Sequence, residues 1–353
     1  MAETIAIAPL GEALTFARIR EQTGHRVIAV TSYREGRIGG VDLSALINGP
    51  DDDAIDLFNR LDYASLETAI LKADNLIETQ AGNLDMPVKL RDAHIAVGTN
   101  YREHANESTV KGGPFLFPKM VAPTSSLSPV SAGEALLDYE VELSLVTMTP
   151  LAANDGPAGG LILCNDFTDR ALLVRHIDPR NPQSGRGFTT GKSAPGYLPV
   201  GNLFVVPRDL DSFVAKLTLQ LSVNGAERQH GPATDWIWNF RDILREARQR
   251  RDARWAYRGG EVRLPFDGDG TIPARTLLMA GTPAGTVFQG LSAADYLLGI
   301  RDFLLRGGRR PIISCLIERY IARARARRIY LQPGDRVDIR VDYLGALSTT
   351  VLA

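Results

Sequence analysis

The chain has 353 residues, 44% of them hydrophobic, and its 40 basic and 41 acidic side chains leave a net charge of -1. It is long enough for one large domain or two smaller ones, and its charge balance argues against nucleic acid or an anionic membrane as a partner. Two cysteines, Cys164 and Cys315, are too few for a disulfide framework. Because no signal-peptide pattern and no membrane-spanning run is found, the sequence predicts a cytoplasmic protein that acts on small molecules.

Residues 1–91 are predicted to form a smaller N-terminal α/β domain ahead of a strand-rich body over residues 92–353. Apolar residues recur at helical spacing in residues 54–58 and 66–71. The acidic run of residues 51–53 precedes the first of these segments, as expected at a helix N-terminus, where carboxylates complement the helix dipole. No cluster of residues in this part of the chain indicates chemistry.

From residue 92 onward, short strand-like runs are separated by Gly and Pro, which predicts a mainly β body with few long helices. The predicted strands are residues 95–97, 161–164, 217–223, 276–280 and 337–341. Asn224-Gly225 predicts a hairpin turn, and Pro333-Gly334 predicts a turn ahead of the last pair of strands.

A helical insertion is predicted between Gly290 and Tyr330, where the composition shifts to helix formers and arginine. Its arginines, Arg323, Arg325, Arg327 and Arg328, are interpreted as a solvated face. Apolar residues at helical spacing predict an amphipathic helix, whose stripe comprises Tyr296, Leu297, Ile300, Phe303 and Leu304. We expect this stripe to be buried, against its own domain, over the active-site mouth or against a partner subunit, and part of the insertion to lie near the site.

Polar and apolar residues alternate from Leu137 to Leu145. On a continuous β-strand, successive side chains point to opposite sides, so Asp138, Glu140, Glu142 and Ser144 would share one face and the two glutamates would be neighbours. Adjacent carboxylates repel each other unless a cation lies between them, and a divalent metal is the most effective such cation. A strand with one solvated face gives the same alternation, so this stretch alone leaves both interpretations open.

Asp166 follows the apolar run of residues 161–164 and is expected near a strand end, where ligands often lie. Together with Glu140 and Glu142 it would supply three hard oxygen ligands, which suit Mg²⁺, Mn²⁺ or Ca²⁺ better than zinc. The alternative is that Asp166, or equally Thr168, caps a helix that begins near Ala171.

His104 and Glu107 are three residues apart and would face the same side of a helical turn. A carboxylate beside an imidazole fixes its tautomer and raises its basicity, as a general base for water requires. A surface histidine near a glutamate is also common, so the spacing alone does not decide the role.

Two glycine-bearing loops offer backbone N–H groups and polar side chains that suit an anionic substrate. They are Gly191-Lys192-Ser193 and residues 281–285, which include Gly281 and Thr282. Neither matches a phosphate-binding loop, and ordinary turns have similar sequences. Lys119 is a further, weaker candidate for the same role.

Taken in order, these segments resemble the fumarylacetoacetate hydrolase family over most of residues 92–353. The motifs are Gly98-Thr99-Asn100-Tyr101 with His104 and Glu107, Asp138-Tyr139-Glu140-Val141-Glu142-Leu143, Asn165-Asp166, Gly191-Lys192-Ser193, Val223-Asn224-Gly225, Gly281-Thr282-Pro283-Ala284-Gly285 and Pro333-Gly334-Asp335. Each motif is weak alone, but the ordered set is specific. The resemblance implies an α+β fold, a strand-rich mixed β-roll with a smaller N-terminal domain, and usually a homodimer.

The resemblance also implies a set of site residues. Mg²⁺ or Mn²⁺, with Ca²⁺ as a third hard cation, would be bound by Glu140, Glu142 and Asp166. The remaining roles are water activation by His104 and Glu107, oxyanion stabilisation by Lys192, and substrate contact by Thr282, Gly281 and Lys119.

The implied activity is hydrolysis of a carbon–carbon bond in an acylpyruvate or a related 1,3-dicarbonyl acid, with the metal acting as a Lewis acid. A decarboxylase, hydratase or tautomerase acting on a 2-oxo acid would use similar chemistry, and a non-catalytic metabolite-binding homologue is the alternative outside the enzymes. The chain departs from the family pattern where Arg170 is followed by Ala171 and where Ser193 is followed by Ala194-Pro195. Both departures leave the substrate open.

Overall fold

A computed structural model describes residues 4–49, 51–107, 113–178, 180–305 and 311–353. Residues 1–3, which belong to the N-terminal segment examined for a signal-peptide pattern, lie outside these ranges. The strands are β1 Ala13–Arg20, β2 His25–Arg34, β3 Arg37–Asp42, β4 Leu76–Gln80, β5 His94–Gly98, β6 Phe115–Lys119, β7 Val130–Ser131, β8 Leu137–Asp138, β9 Val141–Thr147, β10 Gly159–Asn165, β11 Thr168–Asp169, β12 Phe204–Pro207, β13 Thr218–Val223, β14 Ala226–Pro232, β15 Trp255–Tyr257, β16 Gly260–Val262, β17 Leu277–Met279, β18 Arg336–Val341 and β19 Gly345–Leu352. The helices are α1 Ala54–Phe58, α2 Tyr63–Lys72, α3 Arg102–Glu107, α4 Arg170–His176, α5 Phe188–Lys192, α6 Leu210–Val214, α7 Phe240–Gln249, α8 Ala293–Leu305 and α9 Ile312–Arg327.

A large sheet has the order β4-β3-β2-β1-β12-β10-β9-β17-β5-β6, and a five-stranded sheet has the order β14-β13-β18-β19-β7. In the large sheet, β17 and β5 pair in parallel, and β9 pairs antiparallel with both β10 and β17. β9 therefore lies in the middle of the large sheet, and all of its residues are buried. The strand-rich α+β architecture expected from the sequence is confirmed.

The N-terminal segment continues the large sheet. β1 pairs antiparallel with β12, with Ala13 opposite Pro207. Both predicted helices form, as α1 and α2, and Asp53 caps α1 by accepting a hydrogen bond from the backbone N–H of Ile55 at 2.9 Å. A domain boundary at residue 91 stays a prediction, because the sheet runs across it.

The strands predicted beyond residue 92 form as β5, β10, β13, β17 and β18. Asn224 and Gly225 join β13 to β14 with φ angles of 51° and 80°, the left-handed backbone that such a hairpin turn requires. Among the described helices, none has the length and apolar character needed to cross a lipid bilayer. Cys164 and Cys315 are both free and buried.

The insertion is helical, as α8 and α9, and lies between β17 and β18. The apolar stripe is not buried against its own domain: Leu297 is 71% exposed and Leu304 is 68% exposed. Burial against a partner subunit stays a prediction. α8 packs instead through Gly299, where an added Cβ would lie 2.5 Å from a side-chain carbon of Leu316 on α9. Helical spacing predicts which residues share a face of α8. Which face is buried depends on Gly299, because it lets the backbones of α8 and α9 approach closely.

The arginines of the insertion were interpreted as a solvated face, and one of them is not part of it. Arg323 forms a pair of hydrogen bonds with Asp295, which is buried on α8. Arg325, Arg327 and Arg328 are exposed as expected.

His94, at the start of β5, should make the stability of the fold dependent on pH. It is fully buried, its Nδ1 accepts a hydrogen bond from the N–H of Leu277 at 3.1 Å, and burial together with Lys119 lowers its pKa from 6.5 to about 3. As the pH falls below 6.5, the imidazole of His94 is protonated in the unfolded chain but stays neutral in the folded chain. This site should therefore lower the free energy of unfolding by about 2 kcal/mol between pH 7 and pH 5.

The measurement is urea unfolding of the wild type and of His94→Asn at pH 7 and pH 5. Asn preserves an acceptor near the position of Nδ1 but does not titrate. The difference between the two pH values should be smaller in the variant, and an equal difference in both proteins would contradict this account.

Candidate active site

Three buried carboxylates meet where β9 begins and β10 ends. Antiparallel pairing places Val141 opposite Asn165, so Glu140 and Glu142, on either side of Val141, lie beside Asp166. The N–H of Asp166 donates to the carbonyl of Glu140 at 2.9 Å. One carboxylate oxygen from each of the three residues lies within 4.8 Å of the others. The structure thus brings together the predicted metal ligands.

The strand that suggested this cluster is not continuous. β8 ends at Asp138 and pairs with β11, whereas β9 starts at Val141 and joins the large sheet. A strand with one solvated face, the alternative interpretation, is wrong because every residue of β9 is buried. The break at Tyr139 and Glu140 turns Asp138 away from the triad.

Asp138 instead forms a buried link between three segments. One of its oxygens accepts a hydrogen bond from Nε of Arg170 at 2.8 Å, and its two oxygens also accept from the N–H groups of Val287 and Phe288. Arg170 also pairs with Glu140, with Nη2 and Oε1 2.5 Å apart. The guanidinium therefore connects the start of α4 to a triad carboxylate.

The helix cap proposed for Asp166 or Thr168 belongs to neither. Asp169 caps α4, accepting a hydrogen bond from the N–H of Leu172 at 3.2 Å. Thr168 donates its hydroxyl to Glu140 and to the carbonyl of Asp166 instead.

Two lysines compensate the charge of the triad. Nζ of Lys192, at the end of α5, lies 2.8 Å from Glu140 Oε2 and 2.7 Å from Asp166 Oδ2. Nζ of Lys119, at the end of β6, lies 2.5 Å from Asp166 Oδ1 and donates to the carbonyl of Tyr197. Both lysines are fully buried. Both lysines therefore pair with the candidate metal ligands, and the predicted role of Lys192 toward an oxyanion stays a prediction.

The two glutamates of the triad have opposite pKa shifts. Burial raises the pKa of Glu142 well above its ordinary value, and the neighbouring Asp166 and Glu140 raise it further. Burial alone would also raise the pKa of Glu140, but Lys192 and Arg170 outweigh it and hold that pKa at about 2. Glu142 is thus the carboxyl whose negative charge is least compensated.

This donor set fits a divalent cation. Counting Asp138, four buried carboxylates face three buried cations, Lys119, Lys192 and Arg170, so one negative charge is left over when Glu142 is ionised. A bound divalent cation would convert that excess into a single positive charge, which favours an anionic substrate. Three carboxylate oxygens suit the hard cations Mg²⁺ and Mn²⁺.

His104 and Glu107 lie on α3, as the spacing predicted, with Nδ1 of His104 3.9 Å from Oε2 of Glu107. The imidazole lowers the pKa of Glu107. Glu107 also accepts a hydrogen bond from the N–H of Gly285 at 3.0 Å. Nδ1 of His104 is buried and has no hydrogen-bond partner among the described residues. In a ligand-free site such contacts are often long and shorten when substrate binds.

The loop of residues 281–285 contacts the triad through its backbone. Gly281 has φ = +81°, and its N–H donates to Oε2 of Glu142 at 3.0 Å. An added Cβ would lie 3.0 Å from that of Asn100, so the close approach requires glycine. The predicted role of Gly281 in substrate contact therefore stays unsupported, because its N–H group already orients Glu142.

Gln229, on β14, fixes the orientation of Thr282. Its Oε1 accepts from the N–H of Val141, so Nε2 is the donor to the hydroxyl of Thr282 and to the carbonyl of Pro283, both at 2.8 Å. Since the hydroxyl oxygen accepts from Gln229, its own proton is available to another acceptor.

A cavity of about 260 Å³ opens beside the triad. Four of the predicted site residues line it: His104, Glu140, Lys192 and Thr282. Glu142, Asp166, Lys119, Gly281 and Glu107 do not line it. The insertion contributes Gly290, Leu291, Tyr296, Ile313 and Ile317, which confirms that part of it lies near the site.

Sequence reasoning gave no role to Arg170, Gln229 or Asp138. Arg170 was noted only as a departure from the family pattern, and Asp138 was assigned to the same strand as the ligands. Gln229 has no signal of its own in the sequence beyond its position shortly after the hairpin turn.

Residues 93–352 match the family described as fumarylacetoacetate (FAA) hydrolase C-terminal. Oxaloacetate tautomerase YisK of Bacillus subtilis (strain 168) is 24% identical over 270 residues, which are 73% of this chain and 68% of that protein. Human mitochondrial oxaloacetate tautomerase FAHD1 is 32% identical over 160 residues, which are 42% of this chain and 69% of that protein.

Among solved structures, maleylpyruvate hydrolase from Sphingobium sp. SYK-6, in complex with manganese(II) and pyruvate, superposes with a TM-score of 0.58. It is 20% identical, and the superposition covers 96% of this chain and 98% of that one, so the two share a fold. Matched relatives include tautomerases, a hydrolase and a bifunctional isomerase/decarboxylase. Because the family match covers well over half of the sequence, the chain belongs to the fumarylacetoacetate hydrolase family of enzymes.

Proposed function

We propose that this chain is a divalent-metal-dependent hydrolase that cleaves a carbon–carbon bond in an acylpyruvate or a related 1,3-dicarbonyl acid. One observation carries the proposal: His104, which is paired with Glu107, and the buried Lys192 line one cavity beside three converging carboxylates. These are the groups that water activation, anion stabilisation and metal binding require.

Mg²⁺ or Mn²⁺ would be held by Glu140, Glu142 and Asp166. When bound, the cation would supply Lewis-acid polarisation of the 2-oxo acid end of the substrate. The relative from Sphingobium, which holds manganese(II) and pyruvate, supports both the metal and the 2-oxo acid.

The chain's own residues then perform the proton transfers. His104, oriented by Glu107, removes a proton from water, and the water oxygen attacks the acyl carbonyl carbon. Lys192 and the hydroxyl of Thr282 face the oxygen on which negative charge develops. When the carbon–carbon bond breaks, its electron pair stays on the methylene carbon, and the proton held by His104 returns there. The products are a carboxylic acid and pyruvate or its analogue.

Gln229 should act through Thr282 rather than by touching substrate. We expect Thr282→Val and Gln229→Met each to lower kcat by about tenfold, on the scale of one lost hydrogen bond. Because the two side chains form one unit, the double variant should lose little more than either single variant. Steady-state kinetics of the three proteins measure this, and additive losses would show that the residues act independently.

Tautomerisation of a 2-oxo acid is the second candidate, favoured by the similarity to the oxaloacetate tautomerases YisK and FAHD1. Oxaloacetate carries a second carboxylate, for which the apolar part of the cavity offers no partner. A decarboxylase, a hydratase and a non-catalytic metabolite-binding protein are the remaining alternatives.

The test is to incubate the protein with acetylpyruvate, larger acylpyruvates and oxaloacetate, with Mg²⁺, Mn²⁺ or EDTA. Ultraviolet absorbance follows loss of substrate, and NMR identifies the products. Pyruvate with a second carboxylic acid, formed only with metal, is the expected result. Keto–enol exchange alone would indicate a tautomerase, carbon dioxide a decarboxylase, a hydrated product a hydratase, and no change in any substrate a binding protein. A homodimer also stays a prediction, to be checked by mass in solution.

A further inference from the structure

We propose that the acyl end of the substrate is apolar, an aliphatic or aromatic group of modest size, and does not carry a second carboxylate. This inference rests on the proposed function, since it concerns the part of the substrate that lies away from the 2-oxo acid end.

Most of the cavity lining is apolar and comes from three parts of the chain. α4 and α5 form one part, the segment between β17 and α8 forms the second, and α9 forms the third. The apolar side chains from these parts are Leu173, Val174, Ile177, Phe188, Phe288, Leu291, Ile313 and Ile317, and Val97 on β5 and the ring of Tyr296 on α8 add to them. A surface of this kind binds hydrocarbon and penalises an unpaired carboxylate.

The cations that line the cavity are already paired. Arg170 bonds to Asp138 and Glu140, and Lys192 lies between Glu140 and Asp166. Within the described part of the chain, no other lysine or arginine lines the cavity. A second carboxylate would therefore lack a cation of its own.

The polar lining is concentrated around the triad. Lys192 and Arg170 both contact Glu140, and Thr282 follows the glycine that orients Glu142. Besides His104, the other polar side chains of the lining are Thr99, whose hydroxyl donates to the carbonyl of Gly113, and Tyr296 on α8. The lining thus divides into a charged group for the acid end and an apolar wall for the remainder.

The size of the cavity limits the acyl group. A volume of about 260 Å³ is slightly below the range of typical small-molecule pockets, which begins at about 300 Å³, and suits a short chain or a single ring. Each methylene that becomes buried should raise kcat/KM by about fourfold until the wall is reached.

The experiment compares two substrates of equal chain length, 2,4-dioxooctanoate and 2,4-dioxooctanedioate, which differ only at the far end. We expect kcat/KM to be about a hundredfold higher for the first, because the second buries a carboxylate without a partner. Ile317→Lys places a cation in the wall and should reduce or reverse this preference. Ile312→Lys, on the same helix but outside the cavity and 44% exposed, is the matched control and should keep it.

A binding measurement separates this inference from the proposed function. 2-Oxooctanoate and 2-oxooctanedioate lack the 4-oxo group, so the proposed reaction cannot cleave them, and calorimetry with Mn²⁺ present gives their affinities. Tighter binding of 2-oxooctanoate, with no turnover of either dioxo acid, would refute the hydrolase and leave the apolar end supported. If the protein turns over both dioxo acids and the dicarboxylates are equally good or better substrates and ligands, the inference of an apolar acyl end is overturned and the proposed hydrolase activity stands. Binding of neither 2-oxo acid would overturn the inference as well.

Discussion

Replacing Glu142 with glutamine should weaken Mn²⁺ binding by more than about a hundredfold, beyond the loss typical of removing an outer partner of a metal ligand. Glu142 is the triad member whose charge is least compensated, since it accepts a hydrogen bond from Gly281 but has no ion pair among the described residues. A bound divalent cation neutralises that excess negative charge. The amide of glutamine has the same shape but no charge, so the variant site attracts the cation less strongly. Calorimetric titration with Mn²⁺ measures the loss.

The same variant should keep or raise the thermal stability of the metal-free protein. The reason is that Glu142→Gln removes a buried carboxylate whose negative charge is repelled by those of Asp166 and Glu140. If Glu142→Gln lost both metal binding and the fold, the result would therefore not support Glu142 as a metal ligand. Glu261→Gln changes an exposed glutamate that pairs with Arg254 and serves as the matched control. Undiminished Mn²⁺ affinity in Glu142→Gln would remove Glu142 from the ligand set.

Replacing His104 with alanine should lower turnover of an acylpyruvate by about a hundredfold or more while leaving Mn²⁺ affinity unchanged. Loss of a positioned general base has effects of this size. His104 lines the cavity, and the carboxylate beside it is held in place by the backbone of Gly285. Single-turnover kinetics with saturating metal separate the chemical step from binding.

His230 provides a matched control for the general base. It pairs with Glu227 at the same three-residue separation, with Nδ1 and Oε2 3.1 Å apart, but both side chains are more than half exposed. His230→Ala should keep normal turnover. Similar losses in His104→Ala and His230→Ala would indicate a general effect of removing an imidazole, and normal turnover in His104→Ala would reassign the base.

The sequence by itself determined the family and much of the local structure. The ordered motifs identified the family, and the periodicity predicted α1, α2 and the main strands. Asn224-Gly225 fixed a hairpin turn because that turn depends on the backbone preferences of two adjacent residues. Local sequence also indicated the three metal-ligand candidates, since Glu140 and Glu142 are close in sequence and Asp166 follows a strand.

Only the tertiary structure decided which partner each of these groups contacts. Asp138 was predicted beside the ligands, but a break after β8 pairs it with Arg170. Lys119 was a candidate for substrate contact, but the packing of β6 directs it to Asp166. The apolar stripe of α8 was expected to be buried, yet α9 packs against the neighbouring face that carries Gly299.

These differences share one physical reason. Periodicity depends on neighbours within a few residues, so it reports the face on which a side chain lies and how polar that face is. The charge balance of a buried site depends instead on segments that are far apart in the sequence. Lys119, Arg170 and Gln229 are brought to the site by three separate elements, so their roles follow from how β6, α4 and β14 pack together.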